Sequence, residues 1–514
     1  MTPAEALGLD PSLVHAWGPG RAKIALEAVR PPKGRLVLVS AITPVGGGEG
    51  KTTMTIALAM GLCRIGRNAL PVLRQPSLGP IFGKKGGGTG GGRSTVEPST
   101  AINLHLTGDI HAVSAAHGLL SAMVDNALHW REDLDPRSIS WPRVVDMNDR
   151  ALRHVVIGLE SAVRESRFDI TAASEVMAVL CLARDPADLH ARLGCLRVGR
   201  RRDGTPVTAA DLGADGAMAA LLNEALMPNL VQTCEGGPAL IHGGPFANIA
   251  QGCNSVIATR MGLGLADIVV TEAGFGFDLG GEKFLDIKCP VAAVWLSAVV
   301  LVVSVPSLRK HGGGDLVAGL LQIDHHVGAV RRYGLPVVVC INRFPADADD
   351  DLVALARHAA TLGVEAIPCD AYATGGVGAE ALARVVDTLA GPPPPPWHPY
   401  EPSASIAEKL HAVATTLYGA DGVDLLPAAQ KQAAELDGLN LPICVAKTPS
   451  SLTDDPKRPG VPTGFRITVR ELRLMAGAGF VVAVAGDVET MPGLPREPAA
   501  RHIAVDAEGR VRGV

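Results

Sequence analysis

The residues best suited to chemistry lie between 43 and 56, where the chain reads TPVGGGEGKTTMTI. Three glycines, a glutamate and then Gly-Lys-Thr-Thr leave the backbone bare beside a lysine, which suits close approach of a phosphate. A strict P-loop would need glycine at 45, where this chain has Val45. The shorter form is present as Gly47, Gly48, Glu49, Gly50, Lys51 and Thr52, with Thr53 following. A loop of this kind wraps inward so that its N–H groups point at phosphate oxygens. The helix that follows adds partial positive charge, Lys51 adds a whole one, and the Thr52 hydroxyl can sit on Mg²⁺. The bland reading is a glycine-rich turn with a solvent lysine. A strand before the loop and a helix after it argue against that.

The pattern supplies both elements. RLVLVSAI (35–42) reads as a buried strand and KTTMTIALAMGLCRIG (51–66) as a helix. IVVTEAG (268–274), AVVLVVSV (298–305) and LPVVVCINRF (335–344) are further buried strands with turn residues at their ends. Strands alternating with helices predict an α/β protein: a P-loop-type, mostly parallel sheet flanked by helices, with additional smaller α/β domains. Ligands in such sheets gather at the carboxyl ends of the strands. GPPPPPWHPYEP (391–402) cannot continue a helix or a central strand and reads as a stiff linker. The predicted domains are 1–333, carrying the P-loop and an inserted subdomain near 140–225, then 334–390, and after the linker 403–514. GKKGGGTGGG (83–92) is too rich in glycine for regular structure and reads as a linker or a loop ordered by ligand.

Composition narrows the partners. A net charge of −5 over 514 residues shows no polybasic face, so nucleic acid and anionic membranes are not expected. Nine cysteines without a C-x-x-C pair suit a reducing cytoplasm. The first residues lack the basic and apolar regions of a signal peptide. PVAAVWLSAVVLVVSVPSL (290–308) is uncharged and long enough to span a bilayer, but it is Val-rich and carries prolines near both ends, as a buried strand with its turns would. A cytoplasmic protein without membrane contact is therefore expected. Only five Trp, four Tyr and nine Phe occur, which draws attention to aromatic residues in loops.

Beyond the loop, long segments share one resemblance. LRQPSLGPIFGKKGGGTGGG (73–92), AINLHLTGDIHAV (101–113), PNLVQTCEGGPALIHGGPFANIAQGCNSVIATR (228–260), VVTEAGFGFDLGGEKFLDIKCP (269–290), GLPVVVCINRFPAD (334–347) and GFRITVRELRLMAGAGFVVAVAGDVETMPGLP (464–495) closely resemble the formate–tetrahydrofolate ligase (formyltetrahydrofolate synthetase) family. The likeness covers nearly the whole chain. It implies ATP-dependent formylation of tetrahydrofolate by formate through formyl phosphate, with ATP, Mg²⁺ and a monovalent cation (K⁺ or NH₄⁺), in a homotetramer. By the same resemblance Lys51 and Mg²⁺ neutralise the phosphates, and Arg74 holds formate and then formyl phosphate. Asp109, with His105 and His111 nearby, handles the proton released from N10. The glycines at 86–92 cover the acyl phosphate. Phe344 and Tyr372 flank the pterin, and Met491, Pro492, Gly493 and Leu494 flank the adenine.

Several positions depart from the family pattern. Tyr372 stands where the family has tryptophan, Thr374 where it has lysine, and Arg93 where it has tyrosine. Pro290 and Pro306 each replace an arginine, and Gln251 replaces a histidine. These departures set an ordinary ligase against a paralogue with another acceptor or carboxylate, or a nucleotide-binding protein without ligase activity. A partitioning or maturation ATPase would share the loop but not the other segments.

Overall fold

The computed structural model describes residues 2–45, 48–85, 88–130, 133–160 and 162–514. Seven parallel strands form its centre: β1 (Arg35–Ala41), β2 (Ala69–Leu73), β3 (Pro238–Ile241), β4 (Ile268–Glu272), β5 (Ala298–Val303), β6 (Val337–Asn342) and β7 (Ala366–Cys369). Their order across the sheet is β3-β2-β4-β1-β5-β6-β7, which puts the P-loop strand in the middle. Val37, Leu38, Val39, Val299, Val300 and Leu301 are fully buried. A parallel sheet covered on both faces needs such unbroken apolar runs, because its crossovers lay helices on each side. One of these helices, α1 (Lys51–Arg64), leaves the P-loop directly. Beyond β3 the sheet turns antiparallel through Asn229–Thr233, Ala22–Ile24 and Val14–Ala16.

The uncharged stretch at 290–308 contains β5, preceded by a short helix at Cys289–Ala292 and followed by one at Val305–His311. Among the described residues no helix is long and apolar enough to cross a membrane. Pro290 and Pro306 are both exposed; Pro306 lies in the first turn of the second helix, whereas Pro290 lies in the last turn of a helical run that continues from Phe284–Lys288. Proline fits at 306, since the first N–H groups of a helix have no partner within it. Ser304 caps the second helix by accepting from Ser307 N.

Residues 334–390 do not form a sheet of their own: β6 pairs with β5 and β7 with β6, so they extend the P-loop sheet. Off that sheet, residues 143–145 pair with 168–170, 155–157 with 164–166, and 197–200 with 206–208. After the prolines, β8 (Gly422–Leu425), β9 (Ile443–Ala446), β10 (Arg466–Met475) and β11 (Phe480–Ala485) build a second sheet in the order β8-β10-β11-β9.

Buried polar contacts fasten the second sheet to the first. Lys447, just past β9, donates to Asp278 at 2.7 Å, and the Asp278 carboxylate also accepts from the Thr43 hydroxyl at 3.2 Å. Burial alone would raise the Asp278 pKa, but the Lys447 ammonium and His326 hold it well below the usual carboxylate range. Lys447 is pushed down, mainly by burial, so the pair as a unit adds little net stability. Removing one partner would strand the other, which is costly.

Glu175 makes a second such contact. It accepts from Gly477 N at 2.8 Å and Ala478 N at 3.3 Å, in the turn between β10 and β11. Burial raises its pKa from the ordinary 4.5 to about 7, against the opposing effect of those N–H groups. A carboxyl raised in this way stabilises the fold fully below pH 4.5, and that stability is lost as pH rises through 7. The gap is worth about 3 kcal/mol at most. Glu175→Gln keeps an accepting oxygen and removes the titration. Thermal denaturation should therefore show the variant close to wild type at pH 5 and more stable at pH 8.

Candidate active site

Because β2, β4 and β1 are neighbours and run parallel, their carboxyl ends bring three loops together. Lys51 opens α1 after the β1 loop, Arg74 follows β2, and Glu272 closes β4. Glu272 is 3 % exposed and its two oxygens face different partners. The Thr52 hydroxyl donates to one at 2.8 Å, and Arg74 Nε approaches the other at 3.4 Å. One buried carboxylate thus ties the phosphate loop to the guanidinium. Arg74 is packed against bare backbone, since a Cβ on Gly274 would come within 2.9 Å of its Nη1. Phe275 beside it takes a positive φ of 59°, a conformation that side chains of this size rarely adopt outside functional loops.

The P-loop itself is fixed from below. Gly50 has φ +78°, and a Cβ there would lie 2.6 Å from Asn342 Nδ2, so glycine is required twice over. Asn342, at the end of β6, donates to the Glu49 carbonyl at 3.1 Å. The Glu49 side chain is buried and accepts from the Ser304 hydroxyl at 2.8 Å; burial raises its pKa. Glu49 therefore turns its carboxylate into the protein, leaving its backbone for the loop. Gly48 is exposed, Thr52 and Thr53 are half-buried, and Lys51 is buried. Gly47 lies outside the described residues.

The expected folate side lies next to this. Arg343 N donates to Cys369 O at 3.1 Å, so the loops after β6 and β7 leave the sheet side by side. Phe344 is 42 % and Tyr372 63 % exposed, and the two rings do not touch. Tyr372 rests on the glycine hairpin: a Cβ on Gly91 would lie 3.1 Å from its ring and 3.6 Å from Thr53 Oγ1. Arg93 N also donates to Tyr372 O at 2.8 Å, and the Ser94 hydroxyl to Ala371 O at 2.7 Å. Asn103 accepts from Gly88 N at 2.8 Å and holds the near end of the glycine run, of which residues 86 and 87 lie outside the described residues.

Asp109 makes its hydrogen bonds with other residues. It is 2 % exposed, with Lys23 Nζ on one oxygen at 2.7 Å and Asn229 Nδ2 on the other at 2.7 Å. His105 and His111, expected beside it, are exposed and touch each other at 2.8 Å. Met491, Pro492, Gly493 and Leu494 line a loop held by the 149–153 segment. Arg153 Nε donates to Met491 O at 2.9 Å, Asp149 N to Met491 Sδ at 3.4 Å, and Arg150 donates to Leu494 O. Among the described residues no hydrogen bond joins this loop to 48–53.

Glu272 was not singled out from the sequence. An acidic residue ending the apolar run IVVTE was the available signal, but its meaning depends on β4 lying beside β1, which no local pattern reveals.

Comparison with known proteins bears on the whole chain. A family model described as formate–tetrahydrofolate ligase matches residues 1–514. Proteins named formate–tetrahydrofolate ligase from Myxococcus xanthus and Paracoccus denitrificans are 52% and 51% identical, over 99% of this chain and 97% and 96% of their own lengths. One of the same name from Methylobacterium sp. (strain 4-46) is 52% identical, over 99% of this chain and 96% of its own.

Proposed function

The chain belongs to the formate–tetrahydrofolate ligase family, and from that premise we propose which of its residues carry the reaction. The reaction is ATP-dependent formylation of tetrahydrofolate by formate, forming a C–N bond; the alternatives of another acceptor or a non-catalytic nucleotide binder are not favoured. Formate is a resonance-stabilised carboxylate and a poor electrophile, so one oxygen must first become a leaving group. Attack of that oxygen on the γ-phosphorus gives formyl phosphate and ADP. The N10 amine then adds to the formyl carbon and phosphate leaves. Positioning and charge neutralisation do most of the work in such a transfer.

The observation that carries this assignment is the Glu272 carboxylate shared by Thr52 and Arg74. The backbone of Gly48, Glu49 and Gly50, with Lys51, Thr52 and Thr53, binds the β- and γ-phosphates. Arg74 presents its fork to formate and then to the acyl phosphate, a shape that fits both anions. The Thr52 hydroxyl and the Glu272 carboxylate are hard oxygen donors, a set that fits Mg²⁺. Bound there, the ion would neutralise phosphate charge. Phe344 and Tyr372 flank the pterin, and the 491–494 loop borders the adenine. Asp109 is a positioning residue: held by Lys23 and Asn229, it anchors the start of the helix Asp109–Trp130 that carries His111. His105 and His111 take up the proton released from N10. Activation by K⁺ or NH₄⁺, a homotetramer and a cytoplasmic location follow from the family resemblance. Mass photometry with and without K⁺ tests the assembly.

The test of the assignment is a coupled assay with MgATP, K⁺, formate and tetrahydrofolate that reads ADP and acid-generated methenyltetrahydrofolate together. Equal amounts, each requiring formate and folate, are expected. ADP release without a folate product would contradict the folate half of the assignment.

A further inference from the structure

Arg93 stands in the turn of the glycine hairpin that supports Tyr372, between the strands Gly90–Gly91 and Ser94–Glu97. Exposure rises along that hairpin, from half-buried Gly91, which faces Thr53 of α1, to exposed Gly92 and Arg93 in the turn. The Arg93 backbone is locked to the Tyr372 loop by the N–H bond to Tyr372 O at 2.8 Å. On its other side, a Cβ on Gly375 would lie 3.5 Å from Arg93 Cβ and 2.8 Å from Arg93 O. Yet among the described residues the guanidinium has no carboxylate and no hydrogen-bond partner. The nearby acid, Glu235, is engaged by Gly376 N at 2.9 Å and by Arg64 at 3.5 Å. Arg64 in turn is held by Glu380 at 2.8 Å. A fixed backbone carrying an unpaired planar cation beside an exposed aromatic ring is a recognition feature for an anion attached to a flat ligand.

We propose that Arg93 binds the glutamyl carboxylate of tetrahydrofolate and so sets preference for folates that carry the tail. This rests on the assignment of Tyr372 to the pterin site. If the pterin lies on Tyr372 and N10 points toward Arg74, the p-aminobenzoyl-glutamate leaves toward solvent past the hairpin turn that carries the exposed Arg93. The neighbouring Thr374 side chain is uncharged and donates back to Asp370 O at 2.6 Å, and Arg64 is paired with acids, which leaves Arg93 as the unpaired cation here among the described residues. A guanidinium grips a carboxylate through two parallel N–H bonds, which lysine cannot do. The pair would sit in solvent, so its contribution should be modest and should weaken with salt.

The experiment compares tetrahydrofolate with tetrahydropteroate, which lacks the glutamate. Arg93→Ala should raise KM for tetrahydrofolate by about three- to tenfold at low ionic strength, a gap that narrows at high salt. It should change KM for tetrahydropteroate and for MgATP much less, and Arg93→Lys should recover part of the loss. Equal effects of Arg93→Ala on both acceptors, or no effect on either, would overturn the proposal. Tyr372→Ala separates the two layers. If it raises KM for both acceptors while Arg93→Ala spares tetrahydrofolate, the tail assignment falls and the pterin assignment stands. If Tyr372→Ala changes neither KM, the pterin assignment falls and the Arg93 proposal falls with it.

Discussion

Lys51→Met should lower kcat by about a thousandfold or more, while KM for tetrahydrofolate changes by less than about twofold. Lys51 is the first residue of α1 and is 9 % exposed, so a largely buried cationic side chain opens the helix N-terminus. A charge there is worth more than in water and is aimed where negative charge builds up during phosphoryl transfer. Methionine nearly conserves the volume, so the loop anchored by Asn342 and Ser304 should keep its shape. Steady-state kinetics together with MgATP binding by calorimetry distinguish lost chemistry from lost binding. A variant with near-normal kcat would place the phosphates elsewhere.

Glu272→Gln carries the second large effect. The amide can still accept from Thr52, but it loses the charge that faces Arg74 and its second oxygen becomes an NH₂ that repels the guanidinium. Arg74 should then swing out of register, and the Mg²⁺ dependence should shift to higher concentration. We expect kcat to fall by about a hundredfold, with formate KM rising and tetrahydrofolate KM little changed. Glu272→Asp should recover part of the rate by restoring the charge with a shorter reach. A uniform rise in every KM with kcat intact would mean that Glu272 only supports the fold.

These residues show what was legible in the chain. The P-loop could be read because its chemistry is local: glycines, lysine and threonine act within six positions of one another. The buried strands β1, β4, β5 and β6 could be read because a sheet covered on both faces demands unbroken apolar runs. Glu272 could not, since a carboxylate becomes a bridge only once the strand order β2-β4-β1 sets it between Thr52 and Arg74. That β6 extends the P-loop sheet was hidden for a related reason. A turn rich in glycine and proline looks the same whether the next strand starts a new sheet or joins the old one, and β6 joins β5. The hold of Lys23 on Asp109 was not legible, because Lys23 lies 86 residues away in the chain. Of the two prolines that replace arginines of the family pattern, Pro306 falls in a first helical turn, where a proline fits, and Pro290 lies in the last turn of a longer helical run.

The central claim is that formate is activated as formyl phosphate between the P-loop and Arg74. Its most direct test is turnover of formate labelled with ¹⁸O in both oxygens, with mass spectrometry of the inorganic phosphate. Acyl phosphate chemistry leaves one formate oxygen on the formyl group and passes the other to phosphate, so each phosphate should carry a single label. Unlabelled phosphate formed alongside 10-formyltetrahydrofolate would contradict it.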